Sequence, residues 1–101
     1  MRRAEIKLLM CTSAEARLGE LRLRSHQSLA QLPPHLTETI PGTKALLCTH
    51  RDDLGGGRLR IVVQGVVPGW LGSAFVRAYG FTAEPDGSLE PLSEEALWDF
   101  T

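Results

Sequence analysis

A chain of 101 residues, 43% of them hydrophobic and 23% charged, can form one small hydrophobic core but not two. This composition excludes wholesale disorder, and glycine and proline break the longest uncharged run, residues 61–76, too often for a membrane span. The net charge of −1 conceals an uneven distribution. Residues 1–60 carry ten basic and six acidic side chains, whereas residues 61–101 carry Arg77 alone against six acidic ones.

The N-terminal third predicts a strand followed by a helix. Residues 5–11 place alternate apolar side chains on one face, with the period of a strand. Thr12 and Glu15 have the spacing of a capping box, in which a hydroxyl and a carboxylate accept hydrogen bonds from backbone N–H groups at a helix start. The pair Pro33-Pro34 predicts the end of this helix, because proline lacks the N–H that a helix interior needs.

A hairpin is the second interpretation of residues 13–32. Residues 21–24 alternate strictly between leucine and arginine, which is the period of a strand. Gly19 also weakens a helix interior by about 1 kcal/mol relative to alanine. The helix is favoured because the capping box and the two prolines bracket it.

The middle of the chain predicts a linker and then a hairpin. Residues 33–43 contain three prolines and predict the linker, and residues 44–49 predict a strand. The turn-forming residues 51–57 predict a mobile loop. Residues 58–67 predict a central strand, because they are rich in β-branched side chains and apolar on both faces.

The last third begins with an ambiguous segment. After the turn at Pro68-Gly69, residues 70–79 fit a short helix and residues 73–84 fit a strand. The aromatic side chains in this segment favour the strand slightly. Residues 88–92 predict a short extended piece, and Ser93 predicts the cap of a last helical turn.

Together these elements predict one α+β domain over residues 1–101. It has an antiparallel sheet of about four strands with one main helix on one face. The order is β-α-β-β-β, or the ferredoxin-like β-α-β-β-α-β if residues 70–79 are helical. The acidic segment, residues 84–101, is expected to pack back on the domain or on a partner.

One cluster has the residue types of a metal or nucleophile site: Cys48, His50, Asp52 and Asp53. Zinc needs three or four ligands in tetrahedral geometry, usually as paired short spacings, and the chain has one such cluster. A nucleophilic cysteine needs a base and an orienting third group, and no motif of that kind surrounds Cys48. The sequence therefore predicts a polar strand end, with no metal and no cofactor.

Six arginines of the basic half are candidates for a phosphate-binding face: Arg17, Arg22, Arg24, Arg51, Arg58 and Arg60. The aromatic side chains that could stack on bases all lie beyond residue 69, in the acidic part of the chain. A pI of about 6.3 also argues against a dedicated binder. Nucleic-acid binding is therefore the alternative function.

The sequence contains no catalytic constellation, which favours a non-catalytic interaction or regulatory protein over an enzyme. Without a secretion signal or a span, the expected location is the cytoplasm, away from membranes, with both cysteines reduced. Halves of opposite charge predict a homodimer. The side chains expected to contact a second copy or another protein are Trp70, Leu97, Trp98 and Phe100.

Overall fold

The computed structural model describes residues 2–101, in which two helices precede a five-stranded antiparallel sheet. The elements are α1 (Arg3–Arg22), α2 (His26–Ala30), β1 (His35–Thr39), β2 (Leu46–Gly55), β3 (Arg58–Pro68), β4 (Ala74–Ala83) and β5 (Leu89–Pro91). Two 3-10 segments complete the chain, the hairpin-tip turn (Trp70–Gly72) and the C-terminal turn (Glu95–Phe100). The strands lie across the sheet in chain order, from β1 to β5.

Residues 3–22 form α1, so the predicted strand over residues 5–11 is wrong. Four side chains of α1 are buried at helical spacing, namely Met10, Ala14, Leu18 and Leu21. This stripe begins inside the predicted strand, and its 3.6-residue period outweighs the short alternation there. Thr12 and Glu15 consequently lie within the helix and cap nothing.

The predicted helix over residues 13–32 is confirmed in two parts, and the hairpin alternative is wrong. The break falls after Arg22, and α2 starts anew with a cap in which the Ser28 backbone N–H donates to Ser25 Oγ. This cap satisfies a backbone donor that would otherwise lack a partner. The two prolines that follow separate α2 from the sheet.

The sheet contains more strand than the sequence predicts. Residues 35–39 of the predicted linker form β1, the edge strand that pairs with β2. β2 runs to Gly55, so the predicted mobile loop shortens to a tight turn whose three glycines, residues 55–57, have φ between 62° and 90°. Glycine reaches these angles without a side-chain clash. The strand interpretation of residues 73–84 is confirmed by β4, which a short 3-10 segment precedes.

The core lies between α1 and one face of the sheet. Side chains from the three long strands meet the buried stripe of α1: Leu47, Leu59, Ile61, Val63, Val67, Phe81 and Ala83. The α+β class with one main helix on one face is confirmed, with five strands in place of about four. Because the helices come first, the order is neither β-α-β-β-β nor ferredoxin-like. No helix within residues 2–101 is long and apolar enough to cross a membrane.

Candidate functional site

The outer face of the sheet, opposite α1, carries a chain of polar side chains across three strands. Strand pairing places His35 opposite His50, and Thr37 opposite Cys48. The next pairing places Cys48 opposite Gln64 of β3. Because alternate residues of a strand share a face, these five side chains lie on the same side of the sheet.

The histidines of this face are connected in series. His50 Nε2 lies 3.2 Å from Gln64 Oε1, and the two Nδ1 atoms of His35 and His50 lie 3.2 Å apart. His35 Nε2 is 2.9 Å from the Thr37 hydroxyl, which also lies 3.7 Å from Cys48 Sγ. Since Gln64 Oε1 can only accept, His50 Nε2 donates to it, and a neutral His50 then accepts at Nδ1. Every ring nitrogen therefore already has a partner within the protein.

The two aspartates of the predicted cluster do not join these histidines. Asp52 is paired with Arg60 at 2.8 Å, and Asp53 is paired with Arg51 at 3.1 Å. Among residues 2–101, no three His, Cys, Asp or Glu side chains are placed to hold one metal ion. The strand geometry brings Cys48 and His50 to one face, but their partners are hydroxyl, amide and imidazole groups.

The acidic segment, residues 84–101, crosses this same outer face. The Phe100 ring packs on His50 with 5.3 Å between ring centroids, and the Arg60 guanidinium lies 5.3 Å from the Phe100 ring. The Gln64 amide donates to the Phe100 carbonyl oxygen. Leu97, another of the four predicted contact residues, is half-buried, and the C-terminal turn that contains it contacts β4.

The other two predicted contact residues point to solvent. Trp98 is 66% exposed although Leu97 and Phe100 in the same turn are half-buried, and Trp70 is 82% exposed in the hairpin-tip turn. Leu71 beside it is 89% exposed and adopts φ 55° and ψ 41°. A left-handed leucine costs about 1–2 kcal/mol. The backbone thus holds large apolar side chains outward at two separate places.

The six predicted phosphate-binding arginines are largely neutralised within the chain. Five of them have carboxylate partners: Arg17 with Glu38, Arg24 with Glu20, Arg51 with Asp53, Arg58 with Glu84 and Arg60 with Asp52. The remaining one, Arg22, lies 6.0 Å from the Phe81 ring. These arginines do not form a face of unpaired positive charge.

The ion pair between Arg17 and Glu38 fixes α1 to the edge strand β1. It is bidentate, with N–O distances of 2.8 and 2.9 Å. The hydrogen bond from Arg17 holds the pKa of Glu38 below its ordinary value, and the same bond raises the pKa of Arg17. Planar pairing of this kind has a defined geometry, which positions β1 against the helix.

Four other basic side chains lie near one another around the first turns of α1, and we call them the cationic end: Arg3, Lys7, Lys44 and Arg77. Within residues 2–101, none of them has a carboxylate at ion-pair distance. Arg3 donates to the Pro68 carbonyl oxygen at 2.9 Å. Lys7 and Arg77 lie 4.7 and 4.8 Å from the centre of the Phe75 ring. Sequence patterns do not distinguish this set from the other basic residues, because ion pairing depends on which strands become neighbours.

A groove of about 670 Å³ opens at the cationic end, between the first turn of α1, the connection from β1 to β2 and the end of β3. Its apolar lining includes Ile6, Ala45 and Val67, and Arg3 and Lys44 also line it. This volume lies in the usual range for a bound small molecule or peptide side chains, and apolar walls with a few polar groups are typical of such sites.

Tyr79 is the most perturbed titratable group, and it lies on β4 facing α1. Burial raises the pKa of its phenol from 10.0 to about 12, and contact with Cys11 adds to the rise. Folding thus favours the neutral phenol, so this contribution to stability is complete below pH 10.0 and is lost as the pH rises toward about 12.

We expect the folded protein to show phenolate absorbance with a midpoint near pH 12, and the urea-unfolded chain one near its ordinary value of 10.0. Tyr79 is the sole tyrosine, so an ultraviolet titration reads it directly. Between pH 10.0 and about pH 12, the free energy of unfolding should fall less for the variant Tyr79→Phe than for the wild type. Equal midpoints in the folded and unfolded states would contradict the burial of this phenol.

Both cysteines are free, Cys48 buried and Cys11 half-buried.

Comparison of this chain with protein-family models, with curated proteins and with solved structures finds no match.

Proposed function

We propose that this protein is a small non-catalytic interaction protein that acts in the cytoplasm as a homodimer and contacts a protein partner. The exposure of Trp98 carries this proposal. Leu97 and Phe100 in the same turn are half-buried, whereas Trp98 is 66% exposed. Tryptophan is enriched among the residues that dominate binding energy at protein interfaces.

A second exposed site strengthens the proposal. Trp70 and Leu71 are more than four-fifths exposed at the tip of the β3–β4 hairpin. Leu71 also occupies a backbone region that L-residues seldom adopt. Strain of this kind persists only where the surrounding structure holds it, and it is common at binding and switch sites. Contact with another chain would cover this apolar surface.

The polar outer face supports a non-catalytic role. A general base needs a free lone pair within reach of a substrate, whereas both ring nitrogens of His50 are already engaged. Cys48 is buried, with 8% of its surface exposed, so its thiol is poorly accessible to a substrate. The free state of both cysteines is in keeping with a reducing compartment.

Nucleic-acid binding, the alternative function, gains no support from the six arginines that were predicted to bind phosphate. Five of the six would have to exchange a carboxylate partner for a phosphate. Counterion release, which drives such binding, is small where the protein already neutralises its own cations. A measured affinity for single- or double-stranded nucleic acid that falls steeply with salt would restore this alternative.

The first test is the molecular mass in solution. We expect sedimentation equilibrium to give twice the chain mass of 11.1 kDa for the wild type. Trp98→Ser should raise the dimer dissociation constant at least about thirtyfold, since truncation of a central interface residue costs about 2 kcal/mol or more. Leu23→Ser is the matched control, because Leu23 is 89% exposed at the end of α1 and should leave the dimer intact. A wild-type monomer at all concentrations would contradict the homodimer.

A further inference from the structure

We propose that the groove at the cationic end binds the acidic segment, residues 84–101, of a second copy of this chain. The inference rests on the proposed homodimer and assigns the two surfaces that form it. The contact is reciprocal, so the groove of each copy receives the acidic segment of the other. A two-fold dimer of this kind is self-complementary.

The groove offers positive charge that the protein itself does not neutralise. Arg3 and Lys44 line it together with apolar side chains, and within residues 2–101 neither has a carboxylate at ion-pair distance. Outside the lining of the groove, Lys7 and Arg77 lie 4.7 and 4.8 Å from the centre of the Phe75 ring, and Phe75 packs against the core. The ligand that suits this surface has an apolar body and several carboxylates.

The acidic segment has this chemistry. It contains six acidic residues and no basic one, and the C-terminal turn within it presents Trp98 to solvent. Of these acidic residues, Glu84 alone is paired within residues 2–101, with Arg58 at 2.9 Å. Glu94 and Glu95, at the start of the C-terminal turn, are exposed and have no basic partner in that part of the chain.

Charge complementarity therefore selects the occupant. Most basic residues that lie close to an acidic residue form an ion pair with it. Within residues 2–101, the basic side chains at the groove and the acidic side chains beside Trp98 remain without such a pair. An acidic aromatic segment entering a cationic apolar groove buries Trp98 and neutralises both sets of charges. Such pairing governs specificity and association rate, and salt screens it over about 10 Å at 0.1 M and about 3 Å at 1 M.

The test is an exchange of charge between the two surfaces. Arg3→Glu/Lys44→Glu reverses the groove, and Glu94→Lys/Glu95→Lys reverses the acidic segment. We expect each double variant alone to be monomeric, with a dimer dissociation constant at least about a hundredfold above wild type, because like charges then face each other. An equimolar mixture should form a heterodimer, since each acidic groove then meets a basic segment and each basic groove meets an acidic one.

The control variant is Arg22→Glu/Arg24→Glu, which changes the net charge by the same amount as Arg3→Glu/Lys44→Glu. Its two residues lie at the C-terminal end of α1, and it should remain dimeric. Circular dichroism verifies that all variants are folded. If both reversed variants stay dimeric, or if they fail to associate when mixed, the groove is not the docking site, and a dimeric wild type then uses another surface. If the wild type is itself monomeric, the proposed homodimer fails, and this inference with it.

Discussion

Gly80→Ala should lower the free energy of unfolding by about 3 kcal/mol, the upper end of the usual cost of overpacking. A Cβ atom at residue 80 would lie 2.6 Å from the Ile61 carbonyl oxygen and 2.8 Å from Leu92 Cδ1. The first contact is with the backbone of the neighbouring strand, so no side-chain rotation relieves it. β3 and β4 would have to separate where the sheet is most buried.

Gly19→Ala is the matched control for Gly80→Ala, because it makes the same chemical change with the opposite expected sign. Gly19 lies in α1, and a Cβ there meets no atom within 4 Å. Alanine should stabilise this exposed helix position by about 1 kcal/mol. Urea denaturation followed by circular dichroism measures both variants. A loss of less than about 1 kcal/mol in Gly80→Ala would contradict the close approach of the two strands.

Met10→Ala should cost about 2–5 kcal/mol, because Met10 is fully buried between α1 and β3 and its truncation leaves a cavity. The same side chain fills the space above Gly65, where a Cβ atom would overlap Met10 Sδ. Gly65→Ala should therefore also destabilise the protein, by about 1–3 kcal/mol.

The double variant Met10→Ala/Gly65→Ala separates a specific contact from two independent losses. The new methyl group at residue 65 would occupy part of the space that Met10 vacates. The double variant should then be more stable than the sum of the single effects predicts, by about 1 kcal/mol or more. Additive losses in urea denaturation would mean that the two residues do not share this space.

The buried parts of the fold are the ones that the sequence predicts best. The central strand β3 is correctly predicted from its β-branched residues, since Ile61, Val62 and Val63 are all fully buried. The N-terminal half of α1 is predicted wrongly, because over so short a window Ile6, Leu8 and Met10 also fit the two-residue period of a strand. Leu8 is in fact 69% exposed, and the helical stripe becomes apparent only when Ala14 and Leu18 are included.

The edge strand and the charges could not be predicted in the same way. β1 is exposed along nearly its whole length, so it carries no apolar pattern that would distinguish it from a linker. Arg17 looks the same in sequence as Arg3, yet Arg17 pairs with Glu38, 21 residues away, whereas Arg3 donates to the Pro68 carbonyl oxygen. Which cation is free depends on tertiary contacts that local patterns do not contain.

The order of elements along the chain has a consequence for synthesis on the ribosome. α1 is complete at residue 22, but the strand that covers its apolar stripe, β3, ends at residue 68. At elongation rates of about 5–20 residues per second, roughly 2–9 s pass between the two events. During that interval Met10, Leu18 and Leu21 have no completed sheet to pack on, so the apolar stripe of α1 stays exposed to solvent until β3 has been synthesised.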